Sequence, residues 1–219
     1  MQAGRARRAC ASNLKQIGVV LKMWANENHE LFPPLSPVPH NWMLDMDAVY
    51  PDYLSDIGML ICPGSPFAAT QTFRLIDTWD HPDGERGAYH PDCVSSLFYI
   101  YTGYLIQSDE QAFALFDAAN RRPWEAIRSG DFELQVPVWA DRPAGDAEAR
   151  TGAPVLWDRV PLMADEFAHR PLGGNVLHMD GHVRFVRYNR LNPSKYFPIT
   201  RVSAETFGSV LPQLSCDCP

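Results

Sequence analysis

Arg7-Arg-Ala-Cys-Ala-Ser-Asn-Leu-Lys-Gln-Ile-Gly-Val-Val-Leu-Lys-Met-Trp24 is the stretch on which the fold turns. Cys10, Leu14, Ile17, Leu21 and Trp24 recur at alternating steps of four and three, which puts them on one stripe of an α-helix. Asn13, Lys15, Gln16, Lys22 and Asn26 fill much of the remaining surface. Residues 3 to 29 therefore read as one amphipathic helix whose stripe packs on a core. Pro33-Pro34 bars continuation, because proline lacks the amide proton and clashes with the preceding turn. Upstream, Met1-Gln-Ala-Gly-Arg-Ala-Arg-Arg8 runs straight into the pattern with no N-cap residue. The expectation is a helix whose first half lies upstream of Met1 in the native protein. Arg5, Arg7 and Arg8 would then suit an anionic membrane surface, or simply a solvated face.

Working outward, residues 41 to 54 read as one or two short helices, with Pro51 in the first turn of the second. Met59-Leu-Ile-Cys-Pro-Gly64 reads as a buried strand-like segment ending in a turn, and residues 64 to 92, rich in Pro, Gly, Asp and His, as a long irregular insertion. Ser96 to Ile106 reads as an aromatic strand bent at Gly103. Ser108 and Gln111 have capping-box spacing for a helix through about Ala119, with Phe113, Leu115 and Phe116 available to the core; Trp124 to Arg128 adds a turn. Val136-Pro-Val-Trp-Ala-Asp141 and Val160-Pro-Leu-Met-Ala-Asp165 read as two short strands ending alike, with an exposed loop at 146 to 152 between them.

The second decisive stretch is Asn175-Val-Leu-His-Met-Asp-Gly-His-Val-Arg-Phe-Val-Arg187. Asp180-Gly181 between alternating runs predicts a hairpin with a type I′ turn. Val183, Phe185 and Arg187 share one face, and His182, Arg184 and Val186 the other. The last stretch, with Pro193, Pro198 and Pro212, reads as a tail laid over the domain. A long helix, short helices and loops, then an antiparallel sheet define an α+β chain. Residues 1 to 30 form its helix and 31 to 219 its globular head.

Composition sets the function classes aside one by one. The 219 residues are 46% apolar and 21% charged, which is globular, and the net charge of −7 lacks the basic face of a nucleic-acid binder. No run reaches the ~20 apolar residues needed to cross a bilayer. No Ser-His-Asp signature, phosphate loop or His-Glu-x-x-His is present. Of the five cysteines, Cys216 and Cys218 are too close in sequence to suit each other, and the odd count leaves at least one thiol free or intermolecular.

Arg7 to Gly18 resembles the segment that follows the membrane helix in a large bacterial group of prepilin-type proteins, relatives of type II secretion pseudopilins. Gly174-Asn-Val-Leu-His-Met-Asp-Gly-His-Val183 resembles the closing hairpin of that group, Ile61-Cys-Pro63 its mid-chain Cys-Pro, and Phe32-Pro-Pro34 its helix terminator. The resemblance implies a pilin-like fold, a spine helix on an antiparallel sheet. It implies a short basic leader cut by a prepilin peptidase, an N-methylated residue heading an apolar half-helix continuous with residues 3 to 29, anchoring in the inner membrane, and a periplasmic or cell-surface head. The implied partners are other pilin-like subunits and secretion machinery. Cys10, Leu14, Ile17, Leu21 and Trp24 would belong to the assembly helix. Cys10 and Cys62 both fall in the resembling phrases: a disulfide between them would suit an exported head, and two buried thiols are the other reading. The calcium loop of major pseudopilins has no residue-by-residue match here.

Asp165, Glu166, His169, Asp180 and His182, with His178, carry oxygen and imidazole donors suited to a divalent ion, Ca or Zn. The structural reading of the same residues makes Asp180 a turn former, His182 a strand residue and Asp165 a cap. Asp141 and Asp165 form a possible acid–base pair, or ordinary strand-end chemistry. Trp42, Trp79, Trp124, Trp139 and Trp157 suit either a sugar-binding face or the core. Three functions follow: an assembly scaffold without catalysis, a membrane-anchored module for polysaccharide or other cargo, and a metal-dependent hydrolase.

Overall fold

A computed structural model describes residues 2–29, 31–76, 81–82, 84–129 and 152–209. Helix α1 spans Gln2–Glu27. Cys10, Leu14, Ile17 and Leu21 are buried, and Trp24 is half-buried edge-on to Tyr53. Burying each large aliphatic side chain of this stripe contributes about 1.5–3 kcal/mol. The helix stops before the prolines. His29 takes a left-handed φ of 56°, and the Trp24 carbonyl accepts from both Asn28 N at 3.0 Å and the Asn28 side chain at 2.9 Å, which secures the last turn.

Four antiparallel strands form one sheet in the order β1 (Tyr99–Tyr101), β2 (Pro154–Asp158), β3 (Gly173–His178) and β4 (Val183–Arg187). α1 lies across one face, where Leu177 meets it at Gly18; a Cβ there would stand 3.1 Å from a Leu177 methyl, so glycine sets how closely helix and sheet approach. The opposite face is covered by the C-terminal segment. Trp157 packs against Phe197 and Phe207 and sets its indole N–H 3.3 Å from Ser203 Oγ. With both faces covered, every residue of β1, β2 and β3 is buried. The chain is α+β.

The remaining elements sit around this sandwich. Short α2 (Met46–Val49) is capped by Asp45, and α3 (Asp109–Arg121) by Ser108, whose Oγ accepts from Gln111 N at 3.3 Å as the capping box predicts. α4 (Trp124–Ser129) is tied down by Arg128, which donates to the Leu35 carbonyl and to Asp45, both at 2.8 Å. The described residues of the insertion 64 to 92 are irregular and return on themselves at the Arg74–Tyr89 bridge, with Phe73 edge-on to Phe98. Gly103 has φ 69°, the bend expected after the aromatic strand.

Several expectations are corrected. Residues 160 to 165 form no strand: Leu162 and Met163 are exposed and Ala164–Glu166 is a 3₁₀ turn. The strand lies just upstream at β2, a continuous apolar run with no alternation to mark it. Residues 59 to 64 are likewise no strand, because Asp56 accepts from Gly58 N at 2.8 Å and opens a 3₁₀ turn at Ile57–Leu60. The hairpin turn is not type I′. Gly181 N donates to His178 O and His178 N to His182 O, so Met179, Asp180 and Gly181 form a three-residue loop. Only Gly181 among them has positive φ, 89°. Phe113 is 60% exposed and leaves the core to Leu115, with Phe116 half-buried. The expected tail contains α5 (Arg201–Ser203), which continues into a wide π-type turn, Ala204–Gly208, whose Phe207 is a core residue. The strand expected at 136 to 141, and the loop after it save Gly152, lie outside the described residues.

Candidate functional site

Among the described residues, three polar clusters gather side chains with functional chemistry. The first is sealed between α1 and the sheet. The disulfide Cys10–Cys62 joins α1 to the mid-chain loop with a Cα–Cα distance of 5.2 Å. Beside it His169 Nε2 stands 3.6 Å from Cys62 Sγ and 3.1 Å from Asp158 Oδ2. The same Asp158 oxygen accepts from Asn175 N at 2.6 Å and Asn175 Nδ2 at 2.9 Å. Asn13 Nδ2 donates to the Ile61 carbonyl and to the Tyr99 hydroxyl. Burial, and then the Asp158 charge, push the Tyr99 hydroxyl far above its usual range. Asp158 and His169 are at most 2% exposed. Gly64 lies against the His169 ring and the Ala168 carbonyl so closely that a Cβ would stand 2.6 Å from that oxygen. Asp158, His169 and Asn175 are buried, and the cluster fixes the register of helix, loop and sheet as a buried polar network does. The Cys10–Cys62–His169 trio cannot act as a thiolate metal site, since both sulfurs are in the disulfide.

The second cluster is the hairpin tip. The His178 and His182 rings stack at 4.2 Å and 6°. Asp180 Oδ1 accepts from His182 N at 2.9 Å and lies 2.6 Å from His182 Nδ1. The backbone hydrogen bond from His182 leads in holding the Asp180 carboxyl below its usual range. His178 Nδ1 donates to the Gly152 carbonyl at 2.7 Å, and burial lowers the His178 pKa. Lys22 of α1 donates to the Asp180 carbonyl at 3.1 Å and clips the tip to the helix.

The third cluster, His81, His90 and Asp92, was missed in the sequence reading. His81 Nδ1 is 3.3 Å and His90 Nδ1 3.9 Å from Asp92 Oδ2, and the two rings are 4.4 Å apart. His81 and Asp92 line a cleft of roughly 280 Å³ that Asp45 and Asp47 also border. Burial, then Asp45 and Asp92, raise the Asp47 carboxyl above its usual range. A signal existed: the phrase His-Pro-Asp occurs at 81–83 and again at 90–92.

The five expected metal ligands are dispersed. His169 is in the sealed cluster, Asp180 and His182 are at the hairpin tip, and on the 3₁₀ turn Asp165 is exposed and Glu166 half-buried. No three of them bring ligand atoms within 4.8 Å of one another among the described residues. Asp141, the proposed partner of Asp165, lies outside the described residues, as do Trp79 and Trp139. Trp42 and Trp157 are core residues, and half-buried Trp124 donates to the Ser36 carbonyl, so these three form no sugar-binding face. Cys93 is disulfide-bonded as well. No family model, curated protein or solved structure matches the chain.

Proposed function

We propose that this chain is the head of a pilin-like subunit of a type II secretion or type IV pilus-like assembly, a scaffold with no catalytic role. The observation that carries the reading is the setting of α1: a 26-residue helix laid on an antiparallel sheet and clamped to the mid-chain loop by Cys10–Cys62. A spine that must transmit position from membrane to head needs such a clamp, because a helix held only by an apolar stripe can slide or roll. Arg5 and Arg8 are exposed on its first turns, where they suit an anionic membrane surface, while Arg7 is spent on the fold, 4.7 Å over the Phe185 ring. Disulfides at Cys10, Cys62 and Cys93 suit an oxidising compartment such as the periplasm or cell surface. The most elaborate polar cluster is closed to solvent, which favours a structural part for it over an acid–base one.

In this reading an apolar half-helix upstream of α1 anchors the protein in the inner membrane, and other pilin-like subunits and the secretion machinery are its partners. No described helix is itself long and apolar enough to cross a membrane. Mass spectrometry of the native N-terminus, taken from membranes of the source organism, tests the proposal. A processed, N-methylated residue heading an apolar segment joined to Arg5 is the expected result. A mature protein that starts near Met1 refutes it.

A further inference from the structure

We infer that His81, His90 and Asp92 form a zinc site at the mouth of the cleft beside α2. Their ligand atoms all lie within 4.8 Å of one another. Donors about 2.0–2.1 Å from a tetrahedral zinc stand about 3.3–3.4 Å apart. The His81 Nδ1 to Asp92 Oδ2 separation is 3.3 Å, that edge, and His90 Nδ1 is 3.9 Å from the same oxygen. Neighbouring donors of a square-planar copper site would be closer, about 2.8 Å. Two imidazoles disfavour calcium and magnesium, which take oxygen ligands.

Two further observations point the same way. His81 Nε2 is buried and has no hydrogen-bond partner, so no strong hydrogen bond on its far side commits the ring to its present orientation. The long contact from Asp92 N to His90 Nδ1, 3.3 Å, is weak enough for a metal to replace. Secondly, the sequence presents the same His-Pro-Asp phrase twice, and the return of the insertion on itself brings the two histidine rings within 4.4 Å of each other, tilted by 45°. The cap that His90 provides to the Pro91–Cys93 turn accounts for one imidazole, and His81 stands beside it without any such role. Three protein ligands leave one coordination position for water or an incoming carboxylate. The cleft gives access to it, and Asp45 and Asp47 on its wall favour a cation there. The zinc would staple both ends of the 81–92 loop to each other.

Calorimetric titration of the untagged chain with Zn²⁺ tests this. The expected result is one saturable site per chain and a melting temperature that rises with zinc concentration. His81→Ala and His90→Ala should each weaken binding by at least about 100-fold. Their zinc-free melting temperatures should stay near that of the parent, which shows that they fold. His178→Ala/His182→Ala should bind as the parent does. Absence of saturable binding overturns the assignment. So does binding that survives His81→Ala, or that is lost only when the hairpin histidines are removed.

Discussion

His178 shows how one side chain couples the fold to pH. Its Nδ1 donates to the Gly152 carbonyl, its Nε2 is buried without a partner, and His182 stacks on its face. Burial is the largest cause of its lowered pKa; His182 and Arg184 lower it further, while Asp180 and the Gly152 hydrogen bond oppose. The folded state thus favours the neutral ring, and the unfolded chain takes up the proton first. The stabilisation is complete above the unfolded value of 6.5 and is lost as pH falls through it and on through the lower folded value. Urea unfolding between pH about 7.5 and about 5.5, above the range where most carboxylates titrate, should show stability declining with acid. His178→Gln should flatten that decline. Parallel curves for parent and variant would show that this ring does not report pH.

At the scale of elements, α1 is held by a covalent and a packed contact, and they can be separated. Cys10 and Cys62 are 52 residues apart. Chain-entropy bookkeeping for a loop of that length gives about 4 kcal/mol of stabilisation. Cys10→Ala/Cys62→Ala should therefore shift the urea midpoint strongly downward, with α1 still folded by circular dichroism. A loss below about 1 kcal/mol would mean that packing alone fixes the helix. The packed half of this arrangement was legible in the sequence, because Leu14, Ile17 and Leu21 fall on one 3.6-residue period and one buried stripe. The β3–β4 hairpin was legible from Asp180-Gly181, although the real loop is three residues long. Pairing of Cys10 with Cys62 followed only from resemblance, since spacing does not specify partners. β2 was illegible because a strand buried on both faces has no alternation, and the repeated Ala-Asp ending drew attention to the exposed segment after it. Asp158 was missed for a related reason. Its partners, His169 and Asn175, are set by sheet register and loop packing, which no local pattern encodes. His81 and His90 differ from Asp158 in this respect, since their repeated His-Pro-Asp phrase is a local pattern, though one that loop composition rich in Pro, Asp and His conceals.

For the whole molecule, the question is which surface is left for neighbours. The sheet has α1 on one face and the C-terminal segment on the other, so neither face offers a docking plane. The outward side of α1 has no described element packed over it as the sheet is packed beneath, and Val19 and Met23, one turn apart there, are 57% and 44% exposed. In the proposed assembly these two residues meet the spine or head of the next subunit, because a helix continuous with a membrane-inserted half is what lies nearest the filament axis. Val19→Asp/Met23→Asp should leave the isolated head folded, within about 0.5 kcal/mol of the parent, since neither side chain is in the core. In the full-length protein, expressed in the source organism, the same pair should abolish recovery in sheared filaments or in cross-linked complexes with other pilin-like subunits. Two carboxylates would have to be desolvated at a contact between copies that already carry net negative charge. Equal recovery of variant and parent would remove this face of α1 from the interface and leave its role confined to the fold of the head.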